Sequence, residues 1–99
     1  MDETGPIYEK IIFQNEEKGL QLRAVVSEFR EVEYFHLRRY YLSYEGEYVP
    51  TKEGISMPMS IQNVYSLLDA LVEICAKAEG VESMTKHFEQ KISDLNSKG

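Results

Sequence analysis

The segment from Val32 to Met57 constrains the fold more than any other part of this 99-residue chain. Residues 32–43 are almost all of types that favour extended backbone, and five of them are aromatic when histidine is counted. Residues 44–47 predict a tight turn, because Gly46 supplies the positive φ that a hairpin requires. A further strand is expected from Tyr48 to Met57. Pro50 within it predicts that this strand lies at an edge or is interrupted there, since proline has no amide hydrogen for a central ladder.

The flanking segments complete an α+β pattern. We expect a first strand over Ile7–Gln14 and a second over Leu20–Phe29, where apolar and polar residues alternate with the period of a half-buried strand. Residues 30–31 are expected to form the turn into the third strand. A long amphipathic helix should begin after Ser60, its N-cap, and end at Gly80. Ser83 is the expected cap of a short extra helical segment. We assign residues 1–78 to one domain and residues 79–99 to a C-terminal extension.

The third strand does not alternate simply. Bulky side chains occupy both parities, with Phe35 and Leu37 on one face and Tyr34, His36 and Tyr40 on the other. Either a β-bulge changes the direction of the end of the strand, or both faces are covered, one by a helix and one by a ligand or partner. The residues alone leave these alternatives open.

The charge distribution limits the kinds of partner. The net charge is −6, which argues against generic binding to duplex DNA. All four arginines nevertheless lie within residues 19–56, where six acidic and five basic side chains nearly balance. Arg38 and Arg39 are followed directly by two tyrosines. Cations interleaved with aromatic rings suit single-stranded nucleic acid, although an ordinary solvated sheet face has the same pattern.

Several functional classes have no support in the sequence. Cys75 is the only cysteine, which excludes an intramolecular disulfide and a cysteine metal cluster. No run of about 18 apolar residues is present, so no membrane association is expected. His36 and His87 lack neighbours at ligand or catalytic spacing, and no glycine-rich phosphate loop occurs. We therefore expect neither enzymatic activity nor a cofactor.

The motifs of the hairpin resemble a known family. They are Phe29-Arg30, then residues 37–41 (LRRYY), the turn 45–47 (EGE), and Pro50 with Lys52 and residues 54–56 (GIS). In this order the chain resembles the single-stranded-DNA-binding transcriptional coactivator family typified by positive cofactor four, over about residues 13–74. The resemblance implies a curved four-stranded antiparallel sheet followed by a long helix. It also implies a homodimer with two channels for unpaired DNA.

The resemblance assigns candidate site residues. Stacking aromatics would be Phe29 and Tyr41, and phosphate-contacting cations would be Arg30, Arg38 and Lys52. Tyr41 stands where the family usually has tryptophan, and Glu53 stands where a basic residue is usual. Each lost phosphate contact lowers the salt slope of single-strand binding by about 0.7. Strand alternation sends Arg38 and Arg39 to opposite faces, so only one of them can face the channel unless the strand is bulged. Arg39 is therefore expected either to contact phosphate or to form a cross-strand ion pair with Glu47 or Glu33.

The resemblance implies a non-enzymatic, nuclear transcriptional coactivator module. It would bind single-stranded DNA, or RNA, by phosphate contacts and stacking, and would meet proteins of the transcription machinery. The alternative is a protein-interaction or dimerisation module of the same fold with weak or lost DNA binding. Its basis is the acidic net charge, Glu53 and the added C-terminal segment.

Overall fold

The computed structural model describes residues 6–98, which form four strands and two helices. The strands are β1 (Tyr8–Asn15), β2 (Leu20–Phe29), β3 (Val32–Leu42) and β4 (Tyr48–Pro58), and the helices are α1 (Ile61–Glu79) and α2 (Val81–Lys98). Every predicted element is confirmed, with most ends within one residue of those expected. Contacts group the described residues into two compact units, which divide between Asn63 and Val64. No helix in the described part is both long and apolar enough to cross a membrane.

The strands form one antiparallel sheet in the order β1-β2-β3-β4, so Pro50 lies on an edge strand as predicted. β2 and β3 pair without interruption from Leu20 opposite Tyr41 to Phe29 opposite Val32. Because side chains alternate between the two faces of a strand, this register assigns each residue to a face. The arginine face carries Gln21, Arg23, Val25, Ser27 and Phe29 of β2 with Tyr34, His36, Arg38 and Tyr40 of β3. The aliphatic face carries Leu20, Leu22, Ala24 and Val26 of β2 with Phe35, Leu37, Arg39 and Tyr41 of β3.

A wide bulge interrupts the pairing of β3 with β4. Arg38 lies opposite Gly54 and Tyr40 opposite Pro50, so residues 51–53 of β4 face Arg39 alone. The Thr51 hydroxyl donates to the Arg39 carbonyl at 2.8 Å and accepts from the Glu53 amide at 3.0 Å. The irregularity predicted for the end of β3 is therefore a bulge of the neighbouring strand. Buried residues occur on both faces of the sheet, with Val25 and Tyr40 on one face and Val26 on the other. Coverage of one face by a helix and of the other by a ligand or partner stays a prediction.

Two turns connect the central strands. Arg30 and Glu31 form a two-residue loop with φ of 55° and 69°. Positive φ at both positions is the signature of a type I′ hairpin turn, here formed without glycine. The loop before β4 contains Gly46 at φ 86°, and its amide donates to the Ser43 carbonyl at 3.0 Å. Both predicted turns are confirmed.

The helices begin and end at recognisable signals. The Ser60 hydroxyl accepts from the Asn63 amide at 3.2 Å, as expected of an N-cap. Gly80, with φ 93°, ends α1. The prediction that Ser83 caps the second helix is wrong, because α2 already begins at Val81 and the Met84 amide donates to the Gly80 carbonyl at 3.3 Å. The extra segment consequently forms an 18-residue helix.

The buried core of the described chain is small. Its buried apolar residues are Val25, Val26 and Tyr40, and Gln21 is the buried polar residue. No residue of α1 is buried, although α1 is amphipathic. Large apolar side chains remain exposed in β1, α1 and α2. A chain of this size buries a smaller fraction of its unfolded surface than a larger domain does, and its core is correspondingly small.

Candidate nucleic-acid interface

Phe29 and Arg30 lie together at the β2–β3 corner. Phe29 ends β2 on the arginine face with 39% of its surface exposed. The left-handed conformation of Arg30 turns the backbone directly after it, and the Arg30 guanidinium carbon lies 5.0 Å from the centre of the Phe29 ring. This corner therefore presents an aromatic ring with a cation lying over it.

Arg38 is half-buried in the middle of the arginine face. Its Nη1 donates to the Thr51 carbonyl at 3.0 Å, which ties the guanidinium to the β4 bulge. Among residues 6–98, none of its hydrogen bonds goes to a carboxylate, and the ion pairs of the described chain involve other arginines. The Arg38 charge is therefore not neutralised by a side-chain partner in the described region.

The bulge brings Lys52 close to Arg38. A small surface hollow is lined by both residues together with His36, Gly54 and Ser56. Lys52 is exposed within the bulged segment. Bulges commonly redirect side chains in this way. Two of the predicted phosphate-contacting residues thus share one site.

An open groove connects Phe29 to Arg38 along the arginine face. Arg38 lies opposite Arg23, which is six positions before Phe29 in β2, so the two ends of the groove are about 20 Å apart at about 3.3 Å per residue. The groove is lined by Val25, Ser27, Glu28, Phe29, Tyr34, His36, Arg38, Tyr40, Pro50 and Ser56. Aromatic rings, hydroxyl groups and a guanidinium therefore face the same open space.

Tyr41 is separated from this groove. The uninterrupted register places it on the aliphatic face, opposite Leu20, with 48% of its surface exposed. It lines a shallow hollow with residues 42–45 at the β3–β4 turn. The structure thus brings Phe29 and Arg38 to the arginine face, with Arg30 at its corner and Lys52 beside Arg38, and leaves Tyr41 elsewhere.

Arg39 points away from Arg38, as strand alternation requires. Its guanidinium pairs with Glu53 at 3.3 Å, and both side chains are largely exposed. The predicted partners Glu47 and Glu33 are therefore wrong: the bulge moves Glu53 opposite Arg39. An exposed pair of this kind contributes about 0–1 kcal/mol to stability.

Two titratable residues within the groove have shifted pKa values. Burial, helped by the nearby Arg38 charge, lowers the pKa of His36 below 6.5. The His36 Nε2 lies 2.8 Å from the Ser27 hydroxyl, and its buried Nδ1 has no hydrogen-bond partner in the described chain. Burial, together with the Glu9 carboxylate, raises the pKa of Tyr40 above 10.0. Both residues are therefore neutral at pH 7.

A polar cluster beside the groove was not anticipated from the sequence. The Glu9 carboxylate accepts from Arg23 Nη1 at 2.6 Å and from the Tyr40 hydroxyl at 3.1 Å. The Arg23 guanidinium carbon also lies 4.0 Å from the centre of the Tyr40 ring. These contacts depend on the β1–β2 register, and the alternation of β2 was the only local signal that placed Arg23 on this face.

Comparisons with known proteins agree with this architecture. A family profile described as Transcriptional Coactivator p15 (PC4) matches residues 17–64. No protein with a curated description matches the chain significantly.

Two solved structures are similar to the chain. The first is the bacteriophage T5 homologue of the eukaryotic transcription coactivator PC4, implicated in recombination-dependent DNA replication. It is 31% identical with a TM-score of 0.68, over 84% of this chain and 92% of the other. The second is a PC4 homologue from Burkholderia pseudomallei, 21% identical with a TM-score of 0.58, over 81% of this chain and 97% of the other, which supports the fold. Because the similarity to the T5 homologue extends over nearly the whole of that protein, the chain belongs to the PC4 family of transcriptional coactivator p15 proteins.

Proposed function

We propose that this protein is a non-enzymatic module that binds single-stranded DNA. The observation that carries the proposal is the open groove shared by Phe29 and Arg38, with Lys52 beside Arg38. A guanidinium without a carboxylate partner attracts phosphate, and an exposed ring accepts a stacked base. Because the net charge is −6, the protein as a whole repels DNA, and we expect attraction for phosphate only near the cations of the groove. Membership of the PC4 family supports the same function.

In the proposed mechanism, cationic side chains bind the phosphates and aromatic rings stack on the bases. Arg30, Arg38 and Lys52 contact phosphates along the arginine face, and Phe29 stacks on a base at its corner. Tyr41 would stack at the β3–β4 end of the sheet, outside the groove. Little base preference should follow, because every base offers a stacking face.

The biological setting is also a proposal. By family membership the protein would be a homodimeric transcriptional coactivator that meets the transcription machinery in a nucleus. The two solved relatives come from a bacteriophage and a bacterium, and the T5 relative is implicated in replication. We therefore propose a DNA-binding role in replication or transcription. The nuclear location is a prediction from the family resemblance alone.

A titration with labelled oligonucleotides tests the binding. Fluorescence anisotropy should give tighter binding to single-stranded than to duplex DNA, with an RNA strand as a third probe. Arg38→Ala should reduce the magnitude of the slope of log K against log salt by about 0.7, the value for one phosphate contact. Phe29→Ala should weaken binding by about 1–3 kcal/mol, the value of one stacked base.

Arg39→Ala is the matched control, because it removes the same charge from the opposite face, where Arg39 is paired with Glu53. Its salt slope should remain close to that of the wild type. Equal slopes for Arg38→Ala and the wild type would show that the groove is not the binding site.

The second candidate function is a protein-interaction module with weak DNA binding. The large apolar side chains exposed on both helices favour it. In that case the oligonucleotide titration should show no binding at physiological salt, while the protein is retained by a protein partner.

A further inference from the structure

Arg23 is a second arginine on the face that forms the groove. It lies directly opposite Arg38 in the β2–β3 ladder. Its side chain is 20% exposed, and its Nε donates to the Gln21 side-chain oxygen at 2.8 Å. Arg23 is thus the cation next to Arg38 on this face, although Arg38 lines the groove and Arg23 lies beside it.

Glu9 is what distinguishes the two arginines. It comes from β1, opposite Val25, and its Oε2 binds Arg23 Nη1 at 2.6 Å. The same oxygen accepts from the Tyr40 hydroxyl at 3.1 Å, so the carboxylate is held at two points. Arg38 has a backbone carbonyl as its partner instead. One cation is therefore neutralised by a carboxylate and the other is not.

The Arg23 side chain is also fixed in orientation. Its guanidinium lies 4.0 Å from the centre of the Tyr40 ring, and Tyr40 is buried. Stacking on an aromatic face and bonding to a carboxylate both favour one rotamer. A phosphate that approached Arg23 would meet the negative charge of Glu9 at the same place.

We propose that Glu9 is an affinity-determining residue of the arginine face, holding Arg23 as a latent phosphate contact beside Arg38. This inference rests on the proposed binding of single-stranded DNA. Neutralising Glu9 would release a guanidinium next to the one that already faces the groove. Two adjacent unpaired cations repel each other in the free protein, and a bound phosphate relieves that repulsion.

Four proteins test this inference: the wild type, Glu9→Gln, Arg23→Gln and the double variant. A labelled oligothymidylate is titrated with each at salt concentrations from about 50 to 200 mM. Glu9→Gln should increase the magnitude of the salt slope by about 0.7, so its affinity falls about 2.6-fold further than that of the wild type across this range. Arg23→Gln and the double variant should both have the wild-type slope.

A further variant separates this effect from others. Glu17→Gln removes the same charge from the exposed β1–β2 turn and should leave the slope unchanged. If Glu9→Gln does not fold, Glu9→Asp replaces it, because the shorter side chain moves the carboxylate away from Arg23. Glu9→Asp should then increase the magnitude of the salt slope in the same direction.

The outcomes distinguish this inference from the proposed function. The inference is overturned if Glu9→Gln has the wild-type slope, or if its increase persists when Arg23 is also replaced. Neither outcome contradicts the proposed function if the wild type binds single-stranded DNA and Arg38→Ala lowers its salt slope. Failure of the wild type and of Glu9→Gln to bind any single strand overturns both.

Discussion

His36 places a neutral imidazole within the groove at pH 7. The ring is packed on the β3 side between Ser27, its hydrogen-bond partner, and the cationic Arg38. Burial and the neighbouring charge both disfavour the protonated form. A free chain lacks these surroundings, so its imidazole binds a proton more readily than the folded one does.

Stability should therefore decrease as the pH falls through 6.5. The folded pKa lies below the unfolded value, so the unfolded state binds more protons in this range, and the stability contribution is complete only above 6.5. Thermal unfolding between pH 7.5 and about 5 measures this trend. His36→Gln, which does not titrate, should lose less stability over the same range. Parallel curves for the two proteins would contradict the assignment.

At the scale of a secondary-structure element, the β4 bulge requires glycine at position 54. Its φ of 151° is unfavourable for residues with a side chain. A Cβ at this position would lie 2.5 Å from the Leu37 carbonyl oxygen and 3.1 Å from the Arg38 Cα. Only glycine lets β4 return this close to β3 after the three bulged residues, and the bulge in turn presents Lys52 beside Arg38.

Gly54→Ala should destabilise the fold by about 2–4 kcal/mol, because backbone strain adds to an overpacked contact. Chemical denaturation at a fixed protein concentration measures the loss. Gly46→Ala is the matched control: Gly46 also has positive φ, but no atom lies within 4 Å of an added Cβ, so the cost should be about 1–2 kcal/mol. Equal costs for the two variants would show that the close approach of the strands is unimportant.

At the scale of the whole molecule, many large apolar side chains of the described residues are exposed. In α1 alone, Ile61, Tyr65, Leu68, Leu71 and Ile74 are each at least 48% exposed. A small buried core contributes little stability, so covering this surface would contribute much of it. A second copy of the chain is the partner that family membership favours.

The protein should accordingly be a dimer in solution, with about twice the 11.5 kDa mass of one chain. Light scattering after size exclusion measures this mass. Leu68→Glu places a charge among the exposed apolar residues of α1 and should shift the protein towards the monomer. Asp69→Ser, on the neighbouring polar surface, should remain dimeric. A wild-type monomer at micromolar concentration would rule out the prediction.

The sequence by itself determined the order, type and approximate ends of the elements. Local signals suffice for this: the alternation in β2, Gly46 in a turn, Pro50 at an edge, and Ser60 and Gly80 at the ends of α1. The one incorrect cap, Ser83, shows the limit of such signals. Its side chain is a good cap in isolation, but α2 had already begun directly after Gly80.

Only the tertiary structure decided which side chains meet. Parity predicted that Arg38 and Arg39 face opposite ways, but the three-residue bulge brought Lys52 to Arg38 and Glu53 to Arg39. Glu9 and Arg23 are 14 positions apart, and only the β1–β2 register joins them. The physical reason is that a strand's alternation is local, whereas register and bulges are set by pairing between distant segments.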